Sequence, residues 1–524
     1  MNKHLEQLSL TARKAVQAKD WAQVRTCARE ILSWKRNSAE GFFLLGLVEK
    51  ASNRQPQAIK AFSKAISLDD KRYDAAIELA SQYLRSHQYA EAATLLQKYE
   101  SHMSNSPRYL DMAGTIYTNI GLPERGWPLY QKANELQPGV DSLQANLAAC
   151  SVYVGKIDEA RGIYRQLLKK FPNHQQNHYE LSRLGRATDS THIDQMKAVL
   201  QATKLGPDKN IYIYYALGKE LEDLEQWDEA FDYYKMAGDA AASVANYDVE
   251  TDIRLIDKVI EICNKDWLAD GANERASDEL GKTPVFIVGL PRTGTTLTER
   301  ILSSHPKVES VGESYFMQVI LKRVSGVKSN ESMSPAIIDA VSKNDIGRIA
   351  KGYLQAIAYR LGDKPMFIEK FPENFLYLGF IAKAFPYGRI IHLNRNPMDT
   401  CFAMYKQSFF RFAYTLGDLG PYYVAYNRLH EHWRQTLGDR LVEVDYEALT
   451  SDQENQTRKL LDDIGLEFDP ACLNFEQNKA ANNTASTVQI REKIHTRSVH
   501  RWKCFEKQLE SLTSYLENAG IKVA

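Results

Sequence analysis

Small residues return every 34 positions through the first half of the chain. Gly46, Ala80, Gly114 and Ala148 form one series, and Ala58, Ala92, Gly126 and Ala160 form a second. Pro138 and Pro172 share the spacing. A fixed period of this length marks a supersecondary unit that cannot bury its apolar face alone, so successive units must stack. Apolar residues flank the small ones at helical spacing, Leu44, Leu45 and Leu47 before a turn and Ile59, Phe62 and Ile66 after it. Gly or Ala at the crossing lets two helix backbones approach. A more divergent unit recurs at Gly218, Ala230 and Ala237, and residues 185–210 break the register while still reading as helix.

The pattern resembles the tetratricopeptide repeat (TPR), a helix–turn–helix unit, and implies an all-α superhelix with a concave surface over about residues 10–245. Such an array serves either as a scaffold that packs on a neighbouring domain or dimerises, or as a groove for an extended peptide or protein. The groove is the reading carried forward.

With 524 residues the chain has room for more than one domain, at about 150 residues each. Lys+Arg and Asp+Glu both number 66, which argues against a nucleic-acid binder held by bulk positive charge. None of the six cysteines forms a CxxC pair, so neither a cysteine zinc site nor a thioredoxin-like redox site is supported, and no metal is expected. The first residues lack the apolar core of a secretory leader, and no uncharged apolar run approaches the length of a membrane span. The expected location is cytoplasmic, without membrane association.

After a helical stretch, YDVETDIRLIDKVIEICNKDW, and the polar run ADGANERASDELGKT, the period changes. Short apolar runs at 284–289, 365–371, 389–397 and 440–447 alternate with helical patterns, which predicts a parallel α/β sheet. The expected division is a repeat region over 1–245, a helical linker over 246–282 and a sheet domain over 283–524. Ligands of such sheets bind beyond the carboxyl ends of the strands.

The segment TPVFIVGLPRTGTTLTERILSSHP carries the chemistry. A strand ends at Gly289, a loop runs through Leu290, Pro291, Arg292, Thr293 and Gly294, and a helix opens at Thr295 and Thr296. The glycines have the separation of a Walker A loop, but Thr295 stands where its lysine would be. Backbone amides, a helix N-terminus and the side chains of Arg292, Thr293, Thr295 and Thr296 favour an oxyanion over a metal–nucleoside triphosphate.

This loop resembles the 5′-phosphosulfate loop of sulfotransferases that use 3′-phosphoadenosine 5′-phosphosulfate (PAPS). The likeness runs over about residues 283–510 and is nearest to the tyrosylprotein sulfotransferases and to bacterial-type proteins that join TPR repeats to such a domain. It implies a P-loop-like parallel-sheet fold, PAPS as sulfuryl donor, and the desulfated product PAP as a ligand. Within Val311-Gly312-Glu313-Ser314, Glu313 matches the family's catalytic base. In FIEKFPEN, Lys370 matches the lysine that neutralises the leaving oxygen, and Asn374 helps to orient its loop. In RIIHLNRNP, Arg395 matches the 3′-phosphate arginine. Tyr446 matches a tyrosine beside the donor, and Ser486 a catalytic serine on the sulfate. Arg501-Trp502 matches the pair that closes on the 3′-phosphate.

One departure stands out: Ala403 and Gln407 occupy positions where the family has a serine and a basic residue. The resemblance therefore implies a depleted 3′-phosphate clamp, with Tyr405, Lys406, Ser408 or Arg501 as compensation. The expected activity is sulfuryl transfer to a hydroxyl, with a peptide or protein tyrosine as first candidate and carbohydrate, lipid or small-molecule hydroxyls left open. The alternatives are a P-loop kinase-like phosphotransferase, disfavoured by Thr295, and a TPR adaptor with a degenerate enzyme domain. The family's eukaryotic members are membrane-anchored in the secretory pathway, and no matching anchor is read here.

Overall fold

The computed structural model describes residues 2–103, 105–270, 281–482, 484 and 486–523. It divides into two compact units, residues 1–150 and 151–524. No helix among the described residues is long and apolar enough to cross a membrane.

The first unit is a run of antiparallel helix pairs. Asn2–Gln17 pairs with Trp21–Trp34, Ala39–Ala51 with Gln55–Leu68, Tyr73–Arg85 with Tyr89–Tyr99, and Pro107–Asn119 with Pro123–Leu136. The 34-residue period has the physical cause expected of it. A Cβ on Gly46 would lie 2.5 Å from the Phe62 ring, and one on Gly114 would lie 3.0 Å from Tyr130. Ala58, Phe62 and Ala65 are buried against Leu44 and Val48 of the facing helix. Asp20 and Ser38 cap the helices that follow them by accepting from the amides of Gln23 and Gly41. The turns carry a signal of their own. Lys19, Asn53, His87, Gly121 and Gly155 all have left-handed backbone, with φ between 55° and 83°, and they too recur every 34 residues.

The second unit begins with further helices of the array, Ile157–Lys170, Gln175–Ser182, Thr191–Thr203, Ile211–Asp223 and Trp227–Ala245. Gly218 repeats the close approach, 2.6 Å from the Tyr234 ring. The expected linker forms the helices Val249–Ile262 and Lys265–Ala269, with Leu255, Ile256 and Val259 buried. Most of its polar stretch, 271–280, lies outside the described residues. Helices from about residue 151 onward thus belong to the same compact unit as the sheet, and the division at 245 and 282 stands as a proposal based on sequence period.

Five parallel strands follow: β1 (Thr283–Gly289), β2 (Val308–Gly312), β3 (Met366–Lys370), β4 (Arg389–Asn394) and β5 (Leu441–Asp445), in the order β2-β3-β1-β4-β5. Four were expected from their apolar runs. The fifth, β2, reads VESVG, too short and polar for the same signal. Both faces are covered, as a parallel sheet requires. Val285, Ile287, Ile368 and Ile391 pack against Ile301 and Leu302, while Phe286 packs on Tyr353 and Phe385. Because β1 lies between β3 and β4, Gly289, Lys370 and Asn394 come to one carboxyl edge, where the strand order reverses.

Candidate active site

The loop after β1 is shaped by three residues with positive φ. Gly289 (φ 144°) comes so close to β4 that a Cβ would lie 2.8 Å from the Leu393 carbonyl. Arg292 adopts φ 71°, uncommon for a residue with a side chain. Gly294 (φ 100°) has room for no Cβ, since Tyr446 would lie 2.5 Å from it. Gly294 caps the helix Thr295–Ser303 without a side-chain bond. Thr293 turns inward, its hydroxyl donating to the Leu290 carbonyl at 2.7 Å, and it is buried with Pro291, Thr295 and Thr296. Thr296 donates to Thr484 at 3.5 Å.

Two arginines meet here. Arg292 donates to Ser486 and, at 2.9 Å, to Gln489. Arg395 donates to the carbonyls of Arg292 at 2.7 Å and Ser498 at 2.6 Å and lies over the Tyr446 ring at 4.7 Å. Tyr446 in turn shares a 2.7 Å hydrogen bond with Ser498. Burial, with Arg395 next to it, lowers the Arg292 guanidinium to about 10. The buried Nε atoms of Arg292 and Arg395 have no hydrogen-bond partner among the described residues. Unsatisfied cationic donors at a glycine-lined loop are what a bound phosphate or sulfate group would satisfy.

Lys370, fully buried at the end of β3, contacts the Glu313 carboxylate and lies 3.8 Å from Glu299. Burial raises the Glu313 carboxyl above its ordinary value, with Lys370 opposing. Arg360 holds the backbone here by donating to the Val311 and Glu313 carbonyls. Glu369, the neighbour of Lys370, points to the other face and accepts from Ser314, from Tyr353 at 2.7 Å and from Asn374 at 3.2 Å. Burial pushes its carboxyl up to about 7. Glu373 lies near enough to Glu313 to feel its charge. Burial pushes Glu373 up to about 7 as well, and Asp252, which accepts from Tyr247 at 2.6 Å, is raised by the same cause.

Arg292, Arg395, Tyr446 and Ser486 therefore form one connected group, and Glu313 with Lys370 a second. Arg501 stands in a third. It bonds to Glu222 of the helix Ile211–Asp223, at 3.1 Å to the carboxylate and 3.2 Å to the carbonyl, and stacks on Trp227 at 4.5 Å. Lys406 binds the same carboxylate at 2.9 Å through both oxygens. Tyr405 stacks on Phe231 and Ser408 bonds to Tyr179, so both face the repeat helices. Sequence reasoning missed Glu299, Ser314, Glu369, Ser498 and Glu222. Ser314 and Glu369 lie inside the motifs that named Glu313 and Lys370, but their pairing, like that of Glu299, Ser498 and Glu222, is with a segment far away in the chain.

His392, His430 and Glu443 are the group among the described residues close enough to hold a metal ion. The two rings are stacked 3.9 Å apart and nearly parallel, so their in-plane lone pairs do not converge on one ion. Their nitrogens instead meet Tyr426, Asn394 and Glu443 at 2.9–3.0 Å. A cavity of about 230 Å³ adjoins them, bounded by Leu290, Thr293, Arg395 and Thr400.

Residues 284–470 match the model of the sulfotransferase family. An uncharacterized protein of Aquifex aeolicus is 28% identical over 82% of this chain and 57% of its own length. The protein-tyrosine sulfotransferase of Drosophila melanogaster is 24% identical over 42% of this chain and 46% of its own length. The chain thus spans about half the length of these relatives. Among solved structures, the sulfotransferase domain of the Synechococcus PCC 7002 olefin synthase is 21% identical, with a TM-score of 0.32, covering 42% of this chain and 88% of that one. YrrB, a TPR protein with an unusual peptide-binding site, is 16% identical with a TM-score of 0.29, covering 39% and 96%. The matched family stretch takes in Arg292, Glu313, Lys370, Arg395 and Tyr446, and ends before Ser486 and Arg501. A TPR-like helical array thus precedes a stretch, residues 284–470, that is similar to the sulfotransferase family.

Proposed function

We propose that the chain transfers a sulfuryl group from PAPS to a hydroxyl acceptor, and that a peptide or protein tyrosine is the first acceptor to test. The observation that carries this reading is the contact of Glu313 with Lys370 on the same strand edge as the phosphate-cradling loop. The acceptor oxygen forms a bond to sulfur as the bond from sulfur to the bridging phosphate oxygen breaks. Glu313 takes the acceptor proton, and its raised carboxyl brings it closer to the strength such a base needs. Lys370 stabilises the charge that grows on the departing phosphate oxygen. Arg292, the loop amides and Ser486 hold the sulfuryl oxygens, while Arg395 and Tyr446 hold the nucleotide. The rate gain comes from positioning and fixed charges rather than from a covalent intermediate.

The helical array serves as the surface that brings a peptide or protein acceptor to the site.

Calorimetry tests the donor: PAP is expected to bind and ATP–Mg not. Incubation with labelled PAPS and a host lysate, followed by mass spectrometry, identifies the acceptor. Glu313→Ala is expected to lower turnover by about 10²–10⁴-fold while PAP still binds. Turnover that survives this change removes Glu313 as the base.

A further inference from the structure

Beside the paired Arg292 and Arg395 stand two further cations, Lys406 and Arg501, with Arg292 near enough to lower the Lys406 ammonium. Lys406 and Arg501 share a single carboxylate, and it comes from the helical array. Glu222 is 8% exposed and receives Lys406 at 2.9 Å on both oxygens, Arg501 at 3.1 Å and the Tyr234 hydroxyl at 2.8 Å. Burial alone would raise this carboxyl, but Lys406, then Arg501 and Tyr234, take it below its ordinary value, so it is ionised. Burial lowers the Lys406 ammonium; Glu222 opposes this, while Arg501 and Arg292 push it further down.

Both cations are fixed relative to the helix Pro397–Tyr405, which starts two residues after Arg395. Lys406 ends that helix. Arg501 is flanked by two amides, of His500 and Trp502, that donate to Asp399 in its first turn at 2.6 and 3.0 Å. A carboxylate accepting from an ammonium, a guanidinium and a hydroxyl presents the donor set that a phosphate group would use.

We infer that Glu222 is a specificity-determining residue for the donor: its carboxylate competes with the nucleotide's 3′-phosphate for Lys406 and Arg501, and so limits how strongly a 3′-phosphorylated nucleotide is preferred over one with a free 3′-hydroxyl. This rests on the donor reading above. It gives the missing serine and basic residue at 403 and 407 a counterpart, because a site with an internal anion has its cations already matched. It also links donor binding to the helix Ile211–Asp223, since a 3′-phosphate that draws Lys406 and Arg501 away releases that helix from two ionic contacts.

The test is calorimetric titration of the full chain and of Glu222→Gln with PAP and, separately, with adenosine 5′-monophosphate. In the variant, PAP is expected to bind about tenfold tighter or more, with the monophosphate little changed, because two cations lose their internal partner. Glu222→Gln leaves two buried cations unmatched and lowers stability, so thermal midpoints with and without PAP are the second readout. PAP should raise the variant's midpoint by more than it raises that of the unaltered chain. An equal or smaller PAP-to-monophosphate preference in the variant, or an equal or smaller rise in midpoint, overturns the inference. If the unaltered chain binds neither nucleotide, the donor reading fails first and this inference with it.

Discussion

Glu369 separates the two sides of β3. Lys370 turns to the helix Thr295–Ser303 and Glu313, and Glu369 turns to Ser314, Tyr353 and Asn374. One buried carboxyl thereby ties the residue after Glu313 to the strand that carries Lys370. Its folded value of about 7 lies above the ordinary 4.5. The native state therefore holds the proton more tightly than the unfolded chain. This stabilisation is complete below about 4.5, is lost as pH rises towards 7, and is absent above it. Glu373 adds a second share over the same range. Denaturant unfolding of Glu369→Gln between pH 4.5 and 8 should show roughly half the decline of the unaltered chain. A full decline would assign the titration elsewhere. Arg292, Lys370 and Arg395 were legible in the sequence because each follows an apolar strand run, and the topology places such ends together, whereas Glu313 follows the unread β2 and was matched only through the family resemblance. Glu369 and Glu299 look like any strand or helix glutamate until a remote segment folds onto them.

At the scale of the element, the repeat is set by two spacings rather than one. Small residues at the crossings fix how closely paired helices lie, and this was readable because Gly and Ala are rare at such regular intervals. The left-handed turn residues share the period, but Lys19, Asn53 and His87 gave no sign of it, since only Gly121 and Gly155 in that series are glycine. In the sheet, β1, β3, β4 and β5 declared themselves by apolar runs. β2 lies at the edge of the sheet and is held partly by the Lys282–Glu309 pair at 3.0 Å rather than by side chains buried on both faces. Gly46→Val forces a branched side chain into the Phe62 ring. It should destabilise the repeat unit by about 1–3 kcal/mol, read as an earlier transition in urea. Unchanged unfolding would mean that the facing helices can separate at no cost.

At the scale of the molecule, every residue assigned to the site lies in the unit 151–524, and part of that unit is helical array. Glu222, Trp227 and Tyr234 contact or neighbour Lys406 and Arg501, and the Tyr153 carbonyl accepts from Asn482 and Arg491. A chain lacking residues 1–139 should keep PAP affinity, measured by calorimetry. One lacking residues 1–245 should lose its folded state, read by circular dichroism, because it strips the counterion and packing from the Arg501 segment. Retained binding by the shorter chain would make the repeat helices dispensable to the site. The sequence placed a boundary at 245 because the hydrophobic period changes there, and period reports local structure rather than which surfaces pack.

The bonds from the amides of His500 and Trp502 to Asp399 join positions 101 and 103 residues apart. During synthesis all five strands have left the ribosome before either amide exists, and the buried Asp399 has until then a carboxylate without these two donors. At about 5–20 residues per second the 101 residues take roughly 5–20 seconds. Until then the segment that carries Arg501 cannot take its folded place, and the interval is when chaperones have most reason to engage the chain.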